Sequence, residues 1–169
     1  MTEDAPIEIE FDQDSLLWTD VPFAEDAARR AVAAAFAHAG FTCREGAELS
    51  IVLTDDARIR ALNAAWRGQD KATNVLSFPA AEPAKIATAP LLGDIVVAYE
   101  TIEREARAQS ISFRSHYVHL LVHGFLHLFG YDHLTEVEAA AMERLESEIL
   151  HRLGIEDPHA GTIVTREAS

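Results

Sequence analysis

HGFLHLFGYDH, residues 123–133, sets two histidines four apart, a glycine three residues on, and a third histidine three residues beyond that. On a helix, His123 and His127 project from one face about one turn apart, roughly 6 Å along the axis. Gly130 permits the left-handed conformation that ends a helix and turns the chain back, so His133 approaches the same point from another direction. Three imidazoles with one position open describe a catalytic zinc site rather than a closed structural one. The spacing is that of the zinc-peptidase pattern H-E-x-x-H-x-x-G-x-x-H, with Gly124 in place of the glutamate. A general base contributes about 10²–10⁴ in rate, so this stretch keeps the metal scaffold and loses the peptidase base. Left unpaired in an apolar helix, each buried imidazole would cost about 1–3 kcal/mol, a cost that a metal removes. Imidazoles suit Zn2+, and Ni2+, Cu2+ or Fe2+ would also fit.

Around this stretch the pattern is helical. Ser112 is placed to cap a long apolar helix running to Phe129, where Gly130 stops it. His119 falls one turn before His123 and is expected to pack against or support a ligand; His116, His38, His151 and His159 are expected to face solvent. Asp132 either hydrogen-bonds a ligand imidazole or shapes the turn. Thr135 and Glu138 form a capping box for a last helix with the stripe Val137, Ala141, Leu145, Ile149 and Leu153.

Upstream, Ile7, Ile9 and Phe11 alternate with acids as in a half-exposed strand, and residues 48–53 and 95–97 read as buried strands. Pro22 opens a helix that Gly40 closes. Asp55 and Asp56 lead into a helix with Ile59, Leu62 and Trp66 as its apolar face, residues 74–78 form a short strand, and 99–109 a polar helix. Residues 79–90, with three prolines, read as a mobile loop. Strands and helices intermingle, which gives an α+β fold: a small central sheet packed with several helices and a zinc-peptidase-like metal-bearing helix. A single domain over 1–169 is expected, with about 1–6 and 158–169 as loose tails.

The 169 residues hold 14 Lys+Arg against 28 Asp+Glu, a formal net charge of −14. A chain of this length can bury a core without staples, and 49% hydrophobic with 25% charged residues excludes wholesale disorder and a fibrous protein. Cys43 is the single cysteine, which excludes an internal disulfide and a cysteine-based zinc site. No signal-like n-region and no apolar stretch of the ~18 residues a membrane span needs are visible, so a cytoplasmic protein is expected. The charge is uneven: residues 58–119 hold eight basic and six acidic residues, and the acid gathers toward both ends. A polyanion-binding cleft in the middle therefore stays open.

HGFLHLFGYDH closely resembles the signature of the YbeY family of bacterial endoribonucleases, also called rRNA maturation factors. Leu62-Asn63, Trp66-Arg67, Lys71 to Pro79 (KATNVLSFP) and Leu92-Gly93-Asp94-Ile95 match in the right order, so the resemblance covers about residues 48–150. It implies an α+β fold with a sheet beside the metal-bearing helix, and one Zn2+ per chain. It also implies hydrolysis of single-stranded or structured ribosomal RNA in ribosome maturation and quality control. Ribosomal proteins and an assembly GTPase are the protein partners implied. His123, His127 and His133 match the family's zinc ligands, and Arg67 matches the arginine held to act on substrate phosphate. Two positions depart from the family: Ala72-Thr73-Asn74 stands where members usually carry Pro-Thr-Asp, and Trp66 replaces tyrosine or phenylalanine, a change that packing should tolerate.

Taken on its residues alone, Arg67 reads as half of a salt bridge with Asp70; the resemblance turns it toward phosphate, which its planar fork matches. A metal and an arginine together can serve phosphoryl chemistry without the missing glutamate. Arg58, Arg60, Lys71, Arg104, Arg107 and Arg114 are candidates for a phosphate track, each also readable as a solvated charge. Ser77 has no recognisable base and is set aside as a nucleophile. Two other functions compete: a non-catalytic ribosome-assembly factor with a structural metal, and a degenerate metallopeptidase, which Gly124 opposes.

Overall fold

The computed structural model describes residues 5–155. β1 (Ile7–Gln13), β2 (Ala47–Thr54) and β4 (Leu91–Ala98) run parallel, and β3 (Val75–Pro79) lies antiparallel to β4 at the edge, in the order β1-β2-β4-β3. α1 (Ala24–Ala39) joins β1 to β2, and α2 (Asp56–Arg67) follows β2. α3 (Tyr99–Gln109), α4 (Phe113–Leu128) and α5 (Glu136–Arg152) come after the sheet is complete. This is the expected α+β arrangement.

Strand alternation divides the core. Leu49, Ile51, Val75, Ile95 and Val97 join the large cluster built with α1 and α4, whereas Leu76, Val96 and Ala98 pack with Ile59 of α2 in a smaller one. α4 is apolar nearly all round because α1, α3, α5, β3 and β4 all touch it. Its N-terminus is capped by the Ser112 hydroxyl, which accepts the Ser115 N–H at 3.0 Å, and the Thr135–Glu138 capping box of α5 forms as expected.

Three expectations fail where tertiary packing decides. The buried residues of α2 are Ile59 and Asn63, so its packed face runs through these two, and Trp66 is 72% exposed, meeting Phe78 edge-on. Val137 is 81% exposed, and the buried stripe of α5 is Ala139, Met142, Glu146, Ile149 and Leu150, with a carboxylate in its middle. Residues 79–90 are not a bare loop: a 3-10 helix at Pro83–Thr88 plants Ile86 in the core. A second 3-10 helix, Leu16–Asp20, was not legible in the sequence; it buries Trp18, whose Nε1 donates to Thr54 O at 2.8 Å. At the N-terminus, Pro6 O accepts the Gly46 N–H at 2.9 Å. The tail expected at 158–169 lies outside the described residues.

Candidate metal centre

The end of α4 and the loop after it bring three imidazoles together. His123 and His127 share one face of the helix, and their Nε2 atoms lie 3.1 Å apart. The turn beyond is closed by the Gly130 N–H, which donates to His127 O at 3.0 Å, with Gly130 at φ 100°. His133 returns over the pair, its ring centroid 5.7 Å from that of His123 and 5.1 Å from that of His127. One ligating nitrogen from each of the three lies within 4.8 Å of the others, so the cluster could hold a metal ion. Asp132 shapes the turn, its Oδ1 accepting the His133 N–H at 2.8 Å.

The electrostatics keep the His127 ring neutral. Burial, reinforced by the neighbouring His123 and His133, pushes His127 down to about 4, against weaker pulls from Asp132 and a backbone hydrogen bond at Tyr131. A neutral imidazole has the lone pair that a metal ligand needs.

Glu146, only 2% exposed on α5, reaches across to α4. Its Oε2 lies 2.6 Å from His123 Nδ1 and its Oε1 2.8 Å from His119 Nε2. A carboxylate on Nδ1 makes that nitrogen the donor and leaves Nε2 as the lone-pair face, and Nε2 is the atom turned toward His127. His119 therefore has the supporting role expected of it. Burial lowers its pKa more than Glu146 raises it. Glu146 itself was missed by sequence reasoning, because nothing in the sequence marks it among the acids of α5.

Gly124 has a steric reason. A Cβ built there would lie 2.9 Å from Ser77 Oγ, 3.1 Å from Ile95 Cγ2 and 3.4 Å from Val75 Cγ2. A glutamate at this position would therefore enter the helix–sheet interface rather than face the imidazoles. Ser77 is buried, its hydroxyl donating to Gly124 O at 3.0 Å, which agrees with setting it aside as a nucleophile.

The other side of β3 holds Arg67. Its Nη2 donates to Ser77 O at 2.8 Å and its Cζ lies 5.7 Å from the centre of the Phe78 ring. Ser77 thus links the two parts, with its carbonyl on Arg67 and its hydroxyl on the helix turn of His123. The salt bridge with Asp70 goes instead to Arg60, at 2.8 Å. Among the described residues Arg67 forms no ion pair.

A family model described as Endoribonuclease YbeY matches residues 11–154. The chain belongs to this family. Endoribonuclease YbeY of Rhizobium meliloti (strain 1021) is 62% identical over 117 residues, covering 68% of this chain and 69% of that protein. Endoribonuclease YbeY of Bradyrhizobium sp. (strain BTAi1 / ATCC BAA-1182) is 52% identical over 151 residues, covering 85% and 86%. The solution structure of TM1509 from Thermotoga maritima shares the fold at a TM-score of 0.56 and 22% identity, over 92% of this chain and 100% of that one.

Two further expectations resolve differently in this YbeY chain. His116 is not solvent-facing: it is 4% exposed, with Nε2 2.8 Å from Glu105 Oε1, because α3 brings that carboxylate against α4. Asn74, at the departure from the family pattern, donates from Nδ2 to the same oxygen at 2.9 Å. Burial pushes the Glu105 carboxyl up, but these bonds and the nearby His116 and Arg104 outweigh it and leave it below its ordinary value. The imagined phosphate track is also largely neutralised, since Arg58, Arg60, Arg104 and Arg107 pair with Asp14, Asp70, Asp56 and Glu103. His38 pairs with Glu148 at 2.9 Å, His151 is exposed, and His159 lies outside the described residues.

Proposed function

We propose that this chain is a zinc-dependent endoribonuclease, a single catalytic domain acting in the cytoplasm on ribosomal RNA during ribosome maturation. The observation that carries this reading is three convergent imidazoles joined through one strand residue to an arginine that forms no ion pair among the described residues. The relatives named as endoribonucleases support the reaction class. No helix among the described residues is long and apolar enough to cross a membrane.

His123, His127 and His133 would hold the ion, and the donor set fits it: His127 is kept neutral by burial, and His123 is oriented by Glu146 through its other nitrogen. When bound, the ion supplies Lewis-acid polarisation of a phosphoryl oxygen and of water. Arg67 binds the non-bridging oxygens of the scissile phosphate and stabilises the charge that builds as the P–O bond breaks. The Ser77 carbonyl and the Phe78 ring fix the guanidinium, so that its remaining N–H donors face the substrate without reorganising.

One feature favours the second reading, an assembly factor with a structural metal: through Glu146 the cluster also ties α4 to α5. Cleavage of a structured ribosomal RNA fragment by identically purified wild type, Arg67→Ala and His127→Ala separates the two. The nuclease reading expects cleavage by wild type that chelation abolishes and zinc restores, none by His127→Ala, and a loss of about 10²–10³-fold in Arg67→Ala with zinc binding intact. Equal cleavage by all three, or by none, moves the assignment to the assembly factor.

A further inference from the structure

Next to Arg67 in sequence stands the largest side chain that the fold leaves in water. Trp66 is 72% exposed, whereas Trp18 is buried at 2%, so this fold does not lack places for an indole. Its contact with Phe78 is edge-on, with ring centroids 6.2 Å apart and planes at 62°; such a contact uses at most one face of the indole. Phe78 also carries the Arg67 guanidinium, 5.7 Å from its ring centre. Trp66, Phe78 and Arg67 therefore form one assembly at the edge strand, an open aromatic face beside a cation that has no ion pair among the described residues.

We propose that Trp66 is a stacking platform for an unpaired nucleobase whose adjoining phosphate is held by Arg67. This rests on the nuclease reading for the phosphate contact and adds to Arg67 a second residue that meets the substrate, through the base rather than the phosphate. The pairing of an aromatic face with a cation matches the two parts of a nucleotide, a π-surface and an anion. A duplex hides the faces of its bases and cannot use the platform. The ionic share of binding is limited, because the arginines at 58, 60, 104 and 107 already face their own carboxylates. Stacking supplies affinity that salt does not screen.

The test uses zinc-loaded protein and a 2′-O-methyl single-stranded RNA 12-mer, checked on a gel to be intact after each titration. A duplex and an abasic oligonucleotide of the same length serve as competitors. Wild type is expected to show tryptophan quenching on binding, which Trp66→Phe lacks because Trp18 is shielded. Affinity by anisotropy should fall about tenfold in Trp66→Ala and stay near wild type in Trp66→Phe. The duplex and the abasic strand should bind at least tenfold more weakly than the 12-mer. Saturable binding without quenching, an unchanged affinity in Trp66→Ala, or an abasic strand that binds as tightly would overturn the platform. Cleavage of ordinary RNA by the same wild-type sample is scored separately. Quenching without cleavage removes the nuclease reading alone, and cleavage without quenching removes the platform alone.

Discussion

Two carboxylates receive imidazoles from α4, and they do opposite things with them. Glu105, on α3, takes Nε2 of His116 and the amide of Asn74, and the second ring nitrogen, His116 Nδ1, is buried without a hydrogen-bond partner among the described residues. Glu146, on α5, takes His119 and Nδ1 of His123, and the second ring nitrogen of His123 faces the cluster. The contacts at Glu105 lock two helices and the bend that leads into β3 together. The contacts at Glu146 tie α5 to α4 and also aim a lone pair. A histidine–carboxylate contact is therefore read from the nitrogen it leaves over, since the same bond serves packing in one place and ligand orientation in the other.

The sharpest way to break the contrast is to remove a ligand. His127→Ala should abolish tight zinc binding in calorimetric titration, a loss of several powers of ten, while the His116–Glu105 contact keeps the fold's melting transition cooperative. Retained stoichiometric zinc binding would show that the three histidines are not the site.

Acid should separate the two regions by pH. His127 sits near 4 against an ordinary 6.5, so above 6.5 it is neutral folded or unfolded and contributes nothing. As pH falls from 6.5 toward 4 the unfolded chain takes the proton first, and metal-free protein loses up to about 3 kcal/mol from this group. Glu105 has the opposite sign: its carboxylate is held below its ordinary 4.5, so its contribution persists above that value and is lost only in stronger acid. Urea midpoints across pH 7.5 to 3.5 should show the first loss in wild type and not in His127→Asn. Equal curves for the two would remove the assignment.

Glu146→Gln should weaken zinc binding about 10–100-fold with the three ligands still present, measured by competition with a calibrated chelator. The smallest effect belongs to Glu105→Gln: zinc affinity within twofold of wild type, with a stability loss of about 1–2 kcal/mol for the weakened buried hydrogen bonds. If the Glu105 variant lost as much zinc affinity as the Glu146 variant, the distinction between the two pairs would collapse.

The sequence made the three clustered histidines legible because their positions are local: a four-residue helical spacing and a glycine turn place all of them within eleven residues. The sheet and helices were legible for the same reason, since alternation and helical periodicity are short-range signals. Glu146 was not, because it is one of 28 acids and meets His123 across 23 positions, a contact set by how α5 crosses α4. The burial of His116 was hidden likewise, depending on Glu105 from the preceding helix. Trp66 misled by obeying helical spacing on a helix whose buried face runs through Ile59 and Asn63 instead.

Gly124 touches neither the proposed metal nor the proposed substrate, yet it acts as a spacer gauge for both. With no Cβ, it lets α4 settle onto β3 at a separation that a single added carbon would violate, since that carbon would lie 2.9 Å from Ser77 Oγ. His123 and His127 ride on the same rigid helix, and Arg67 hangs from the carbonyl of the same Ser77. Any thickening at Gly124 would lift the imidazoles as a unit away from the guanidinium, and a misplacement of about 1 Å can cost about 10²-fold in rate. The tolerance of the whole centre is thus machined into a place where no chemistry happens.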